Sequence, residues 1–98
     1  MQSGDYNGAQ PIFTKLVADQ PDNVNAHFDL GNILFNKGEL GAAADSYREV
    51  IRLRPDFARA HYNLGMALYN LKSYDAATQE FNEAHRLDPS LVPPRSSR

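Results

Sequence analysis

The sequence contains no cysteine, which excludes a disulfide framework, thiol catalysis and any zinc site with cysteine ligands. It also lacks an excess of positive charge. Ten Lys and Arg stand against twelve Asp and Glu, for a formal net charge of -2. A protein that neutralises phosphates needs a basic surface, so nucleic-acid binding has no electrostatic footprint here. Long apolar runs are missing as well. The longest are four or five residues, as in Gly41-Ala42-Ala43-Ala44, against the roughly 20 that a membrane-spanning helix needs. The N-terminus has no charged-then-apolar pattern of the signal-peptide kind. With 98 residues there is room for one small domain and no second core. These absences predict a soluble single domain, with a cytoplasmic location as the default.

What the chain does contain is a repeat. Pro21, Pro55 and Pro89 are spaced by 34 residues. The same step relates Ala9, Ala43 and Ala77; Phe13, Tyr47 and Phe81; and Tyr6, Leu40 and Tyr74. Residues 24–57 laid over 58–91 give 12 identities in 34 positions. Self-similarity at such a period marks a solenoid, in which stacking of units supplies the core.

Each unit reads as two short helices. Over 24–36, the residues Phe28, Leu30, Ile33, Leu34 and Phe35 make a broad apolar face at helical spacing. Gly38 breaks this helix in a left-handed turn. Leu40, Ala43, Ala44, Tyr47, Val50 and Ile51 then predict a helix over 40–53, ended by Pro55. The next unit repeats the pattern at 58–70 and 74–87. Lys72 takes the place of Gly38 there, so the special backbone angles are expected at Asn70 or Ser73 instead. Residues 5–19 predict a lone second helix, interrupted by Pro11 at about its second turn.

Period and pattern together closely resemble the tetratricopeptide repeat (TPR) family. The second unit supplies the motif residues Leu30-Gly31, Leu34, Ala43, Tyr47, Val50 and Pro55. The third supplies Leu64-Gly65, Leu68, Ala77, Phe81, Ala84 and Pro89. His27 and His61 stand where the family usually has an aromatic residue. The resemblance implies an all-α fold, a right-handed TPR superhelix of about 2.5 repeats with five helices in the order B-A-B-A-B. Gly31 and Gly65 would let paired helices approach closely, while Tyr47 and Phe81 fill the gaps between adjacent pairs. The domain is expected over 1–91, as a half repeat 4–23 and repeats 24–57 and 58–91, followed by a disordered tail 92–98.

In this family the first helices line a concave groove that binds partner peptides. The resemblance places Asn25, Phe28, Asp29, Asn32, Phe35 and Asn36 there from the second unit. From the third it places Arg59, Tyr62, Asn63, Met66, Tyr69 and Asn70. Asparagine amides match a peptide backbone, and the aromatics with Met66 supply contact area. A clamp for a terminal carboxylate, as in chaperone-adaptor TPR domains, fits only Arg59 and Asn63, because Asn25 is neutral and Asp29 would repel the anion. An asparagine ladder of the kind found in O-linked N-acetylglucosamine transferases is likewise broken at Asp29. The expected function is a scaffold that binds a protein or peptide partner, with no nucleic acid and no membrane. The second reading is self-assembly into a homo-oligomer through uncapped end helices, or a piece of a longer array.

No catalytic or cofactor chemistry is expected. His27 and His61 recur with the repeat and read as packing residues. His85, near Asp88, suits a helix C-terminus. No His-x-x-x-His pair, carboxylate cluster or phosphate loop occurs. Arg48, Arg52, Arg54 and Arg59 read as a solvated face balanced by Glu39, Asp45, Glu49 and Asp56.

Overall fold

A computed structural model describes residues 5–93, with side chains from residue 8 onward. Five helices follow one another: α1 (Asp5–Asp19), α2 (Val24–Asn36), α3 (Leu40–Leu53), α4 (Ala58–Asn70) and α5 (Tyr74–Leu87). These are the helices predicted from the periodicity. The expected tail lies mostly outside the described residues; Val92 and Pro93 carry no regular structure.

The helices are antiparallel neighbours, each packed on the next. Beyond this, α2 also touches α4, whereas α1 does not touch α3 and α3 does not touch α5 among the described residues. The first helices of the pairs therefore lie on the inner, more tightly curved side, and the second helices splay outside. The shared core consists of Leu30, Leu34, Ala43, Ala44, Tyr47, Leu64, Ala67, Leu68, Ala77 and Phe81.

Two glycines decide how closely each pair packs. A Cβ on Gly31 would stand 2.7 Å from Cε1 of Tyr47, and one on Gly65 2.8 Å from Cδ1 of Phe81. The aromatic rings thus lie flat against the partner helix of their own pair. This refines the expectation that Tyr47 and Phe81 fill gaps between pairs. That gap is filled by Phe28, whose ring centroid is 4.9 Å from Phe57 and 5.9 Å from Tyr47.

Both tight turns close by the same two backbone bonds. Gly38 N donates to Phe35 O (2.9 Å) and Glu39 N to Leu34 O (2.9 Å); Lys72 N donates to Tyr69 O (2.9 Å) and Ser73 N to Leu68 O (2.8 Å). Such a helix end requires a left-handed residue at one defined position. Gly38 takes it with φ 84°, and Lys72 takes it with φ 69°. The expectation that Asn70 or Ser73 would supply these angles is therefore wrong. The hydrogen-bond pattern sets the place, and the side chain found there must comply.

Pro11 also departs from expectation, since α1 runs through it without a break. Pro11 is exposed, and on that side water can replace the missing backbone donor.

The recurring histidines tie turns to helices. His27 Nε2 donates to Pro21 O (2.7 Å) and His61 Nε2 to Pro55 O (2.8 Å). His61, only 7% exposed, also meets Glu80 Oε1 through Nδ1 at 2.8 Å. His85 Nδ1 donates to Leu91 O at 3.2 Å and holds the buried Leu91 against the end of α5. The arginines of the outer face pair locally, Arg48 with Asp45 and Arg52 with Glu49, as a solvated face should.

Candidate functional site

The second half of α2 and the middle of α4 enclose a cavity of about 340 Å³ on the inner side of the stack. Its walls are Asn32, Phe35 and Asn36 from α2, and Tyr62, Asn63 and Met66 from α4, with Tyr47 of α3 between them. Six of the twelve residues expected in the groove are thus brought together. Tyr47 joins them, although its place in the sequence pattern marks it as a packing residue.

The local sequence explains how Tyr47 arrives there. Because Gly31 has no side chain, the Tyr47 ring lies directly on α2, and its hydroxyl reaches the next residue, Asn32. Tyr47 donates to Asn32 Oδ1 at 2.5 Å, and Asn63 Nδ2 donates to the same oxygen at 3.0 Å. Residues from α2, α3 and α4 therefore share one acceptor atom. Burial pushes the Tyr47 phenol up to about 12, partly offset by the neighbouring Asn63 amide. The hydroxyl stays a neutral donor at any ordinary pH.

The bond between Asn32 and Asn63 joins residues 31 apart rather than the 34 of the repeat. The second half of α2 consequently faces the middle of α4, and equivalent positions do not lie opposite each other. The remaining expected residues fall elsewhere. Asn25 and Asp29 are exposed on the first half of α2, outside the cavity. Phe28 is half-buried in the Phe57–Tyr47 stack. Arg59 is exposed at the start of α4, where its charge acts on Asp88; the Asp88 carboxyl is held low chiefly by its hydrogen bonds from Ser90. Tyr69 leans away from the cavity onto Tyr74, edge to face at 5.2 Å, and Asn70 is exposed beyond it.

The cavity walls carry amides, two phenols, aromatic rings and a thioether, but no ionisable acid or base suited to proton transfer at neutral pH. Among the described residues no group of three or more His, Asp or Glu is placed to hold a metal ion. No described helix is long and apolar enough to cross a membrane. A second hollow, about 510 Å³, runs along α1 beside Gln10, Pro11, Thr14, Lys15 and Ala18. It is the surface of a single helix, so no groups converge on it from different elements.

Family models of the tetratricopeptide repeat match residues 1–45 and 58–91, and a TPR repeat model matches residues 31–72. Among solved structures, the chain is similar to MamA MSR-1, with TM-score 0.83 and 30% identity over 88% of this chain and 49% of that one. MamA AMB-1 gives TM-score 0.84 and 30% identity over 86% of this chain and 49% of that one. The MamA RS-1 ArsTM double mutant, with TM-score 0.82 and 22% identity over 88% of this chain and 48% of that one, shares the fold. The chain spans about half the length of these relatives. A search of curated proteins found no match. With glycine-seated aromatics, a 34-residue period and models matched from residue 1 to residue 91, the chain belongs to the tetratricopeptide repeat family of protein-interaction scaffolds.

Proposed function

We propose that the chain binds a short extended segment of a partner protein in the groove between α2 and α4. The observation that carries this reading is the convergence of Asn32, Asn36, Asn63, Phe35, Tyr62 and Met66 on one cavity. Aromatic and thioether surface gives contact area at modest entropic cost, and neutral amides bond to peptide backbone without demanding a charged partner. Uncharged walls also favour an uncharged stretch of the partner, since a buried ion would have no counter-charge there.

The test is to select binders from a random peptide library and measure their affinity for the wild-type chain and three variants. Asn63→Ala and Met66→Lys should weaken binding by about tenfold or more, the scale of a lost central contact. Arg48→Ala, on the outer face of α3, should leave it unchanged. Selected peptides that bind both groove variants as tightly as the wild type would refute the assignment.

A further inference from the structure

Tyr47 is 1% exposed, and its hydroxyl proton must find an acceptor. Among the described residues its bond goes to Asn32 Oδ1. This settles which way the Asn32 amide faces: the oxygen turns towards Tyr47, leaving the nitrogen for the other side. The same oxygen takes a hydrogen from Asn63 Nδ2, so the Asn63 amide is oriented in turn. Two groups then remain without a partner among the described residues, the Asn32 Nδ2 donor and the Asn63 Oδ1 acceptor. Both residues line the cavity.

One residue of an extended peptide presents its own N–H and C=O on the same edge. That is the complement of one donor and one acceptor held side by side. The equivalent positions in the following unit are Met66 and Phe81, which have neither the amide nor the hydroxyl. Both members of the Asn32–Tyr47 pair are therefore present in one unit and both absent from the other.

We infer that Tyr47, Asn32 and Asn63 form a relay that gives the groove a fixed hydrogen-bonding polarity, matched to the N–H and C=O of one uncharged peptide residue with an apolar side chain. This rests on the groove being the binding surface. Tyr47 is a positioning residue, since it acts through Asn32 rather than on the partner. The partner's C=O points to Asn32 on α2 and its N–H to Asn63 on α4, so the direction of the bound chain is set. A terminal carboxylate at this point still offers an N–H and an acceptor oxygen, but it brings negative charge without a counter-ion.

The test uses two probes on the ¹⁵N-labelled chain: N-acetyl-Ala-Met-Ala-methylamide, and N-acetyl-Ala-Met ending in a free carboxylate. The capped probe should move the side-chain amide signals of Asn32 and Asn63 saturably, and the carboxylate probe should bind about tenfold more weakly, because its charge meets no counter-ion among the lining residues. Tyr47→Phe keeps the ring, and with it the fold as judged by circular dichroism. By freeing the Asn32 amide to turn, it should weaken the capped probe about threefold or more. Asn32→Asp keeps the acceptor but replaces the outward donor, and should weaken the capped probe about tenfold. Equal binding of the two probes overturns the uncharged partner, and capped-probe affinity unchanged in Tyr47→Phe overturns the relay. So does a capped probe that leaves both amide signals unmoved. The groove itself is refuted only if library-selected peptides also ignore both Asn63→Ala and Met66→Lys.

Discussion

Adding one methyl group at Gly31 should destabilise the chain, although alanine is the better helix former. The new Cβ would stand 2.7 Å from Cε1, 2.9 Å from Cδ1 and 3.1 Å from Cζ of Tyr47. Carbon atoms in contact prefer about 3.5–4.0 Å, so the ring or the helix would have to move by most of an ångström. Tyr47 has nowhere to go, being 1% exposed and bonded to Asn32 on the very helix that carries the methyl. Overpacking of this kind costs about 1–3 kcal/mol, and the gain in helix propensity returns about 1 kcal/mol. The net loss should be about 0–2 kcal/mol, lowering the urea midpoint by up to about 1 M for a domain of this size. Gly8→Ala in α1 serves as the matched control, because nothing lies within 4 Å of its Cβ position. It should gain about 0.5–1 kcal/mol. Both are read by helix signal at 222 nm in urea. Placing Gly31→Ala in a Tyr47→Leu background should shrink its cost, which a double-mutant cycle measures directly. If Gly31→Ala raised the midpoint as Gly8→Ala does, the close approach of α2 and α3 would not be the reason for the glycine.

Lys72→Gly should raise the melting temperature by the equivalent of about 0.5–1 kcal/mol, since an L-residue held left-handed costs about 1–2 kcal/mol and glycine returns part of this as chain entropy. Gly38→Ala at the matching turn should lower stability by about 1 kcal/mol; a Lys72→Gly chain that melts earlier would contradict the shared turn geometry. Burial holds the Tyr47 phenol up at about 12 in the folded chain, against its ordinary 10.0 when unfolded. The folded state holds that proton more tightly, so this stability is whole below pH 10 and is lost as pH rises through 12, about 3 kcal/mol in all. Tyr47→Phe should flatten that part of the alkaline melting curve, and an unchanged slope would place the hydroxyl in water. His61→Ala should cost about 2–3 kcal/mol and His27→Ala about 1 kcal/mol or less in the same denaturation assay, because His61 is buried with two partners while His27 is partly exposed with one. Equal costs would mean that the bond to Glu80 contributes nothing.

All five helices were legible in the sequence, because the spacing of Leu30, Leu34, Ala43, Tyr47 and their counterparts encodes both helix and partner face. The turn at Lys72 was not, because propensity argues for glycine while two backbone bonds dictate the geometry whatever side chain is present. Most of the cavity lining was legible too. Helical spacing identifies the face that carries Asn25, Asp29, Asn32 and Asn36, but not how far along that face the next helix lies. The offset of three residues between Asn32 and Asn63 arises from how α3 seats α4 on the pair before it, and no single helix records it. Tyr47 escaped for a related reason. One side chain serves the core with its ring and the groove with its hydroxyl, and the repeat pattern registers only the ring, since Phe81 occupies the matching place.

The neighbour-only packing of the helices has a consequence for how the molecule opens. Among the described residues α1 is held by α2 alone and α5 by α4 alone, while α2 and α4 each touch three other helices. Amide exchange should therefore be fastest at the two outer helices and slowest in the middle, with partial openings that travel inward like fraying at the ends of a rope. The cavity is built only from α2, α3 and α4. A chain that has lost the grip of an outer helix can still present its groove intact.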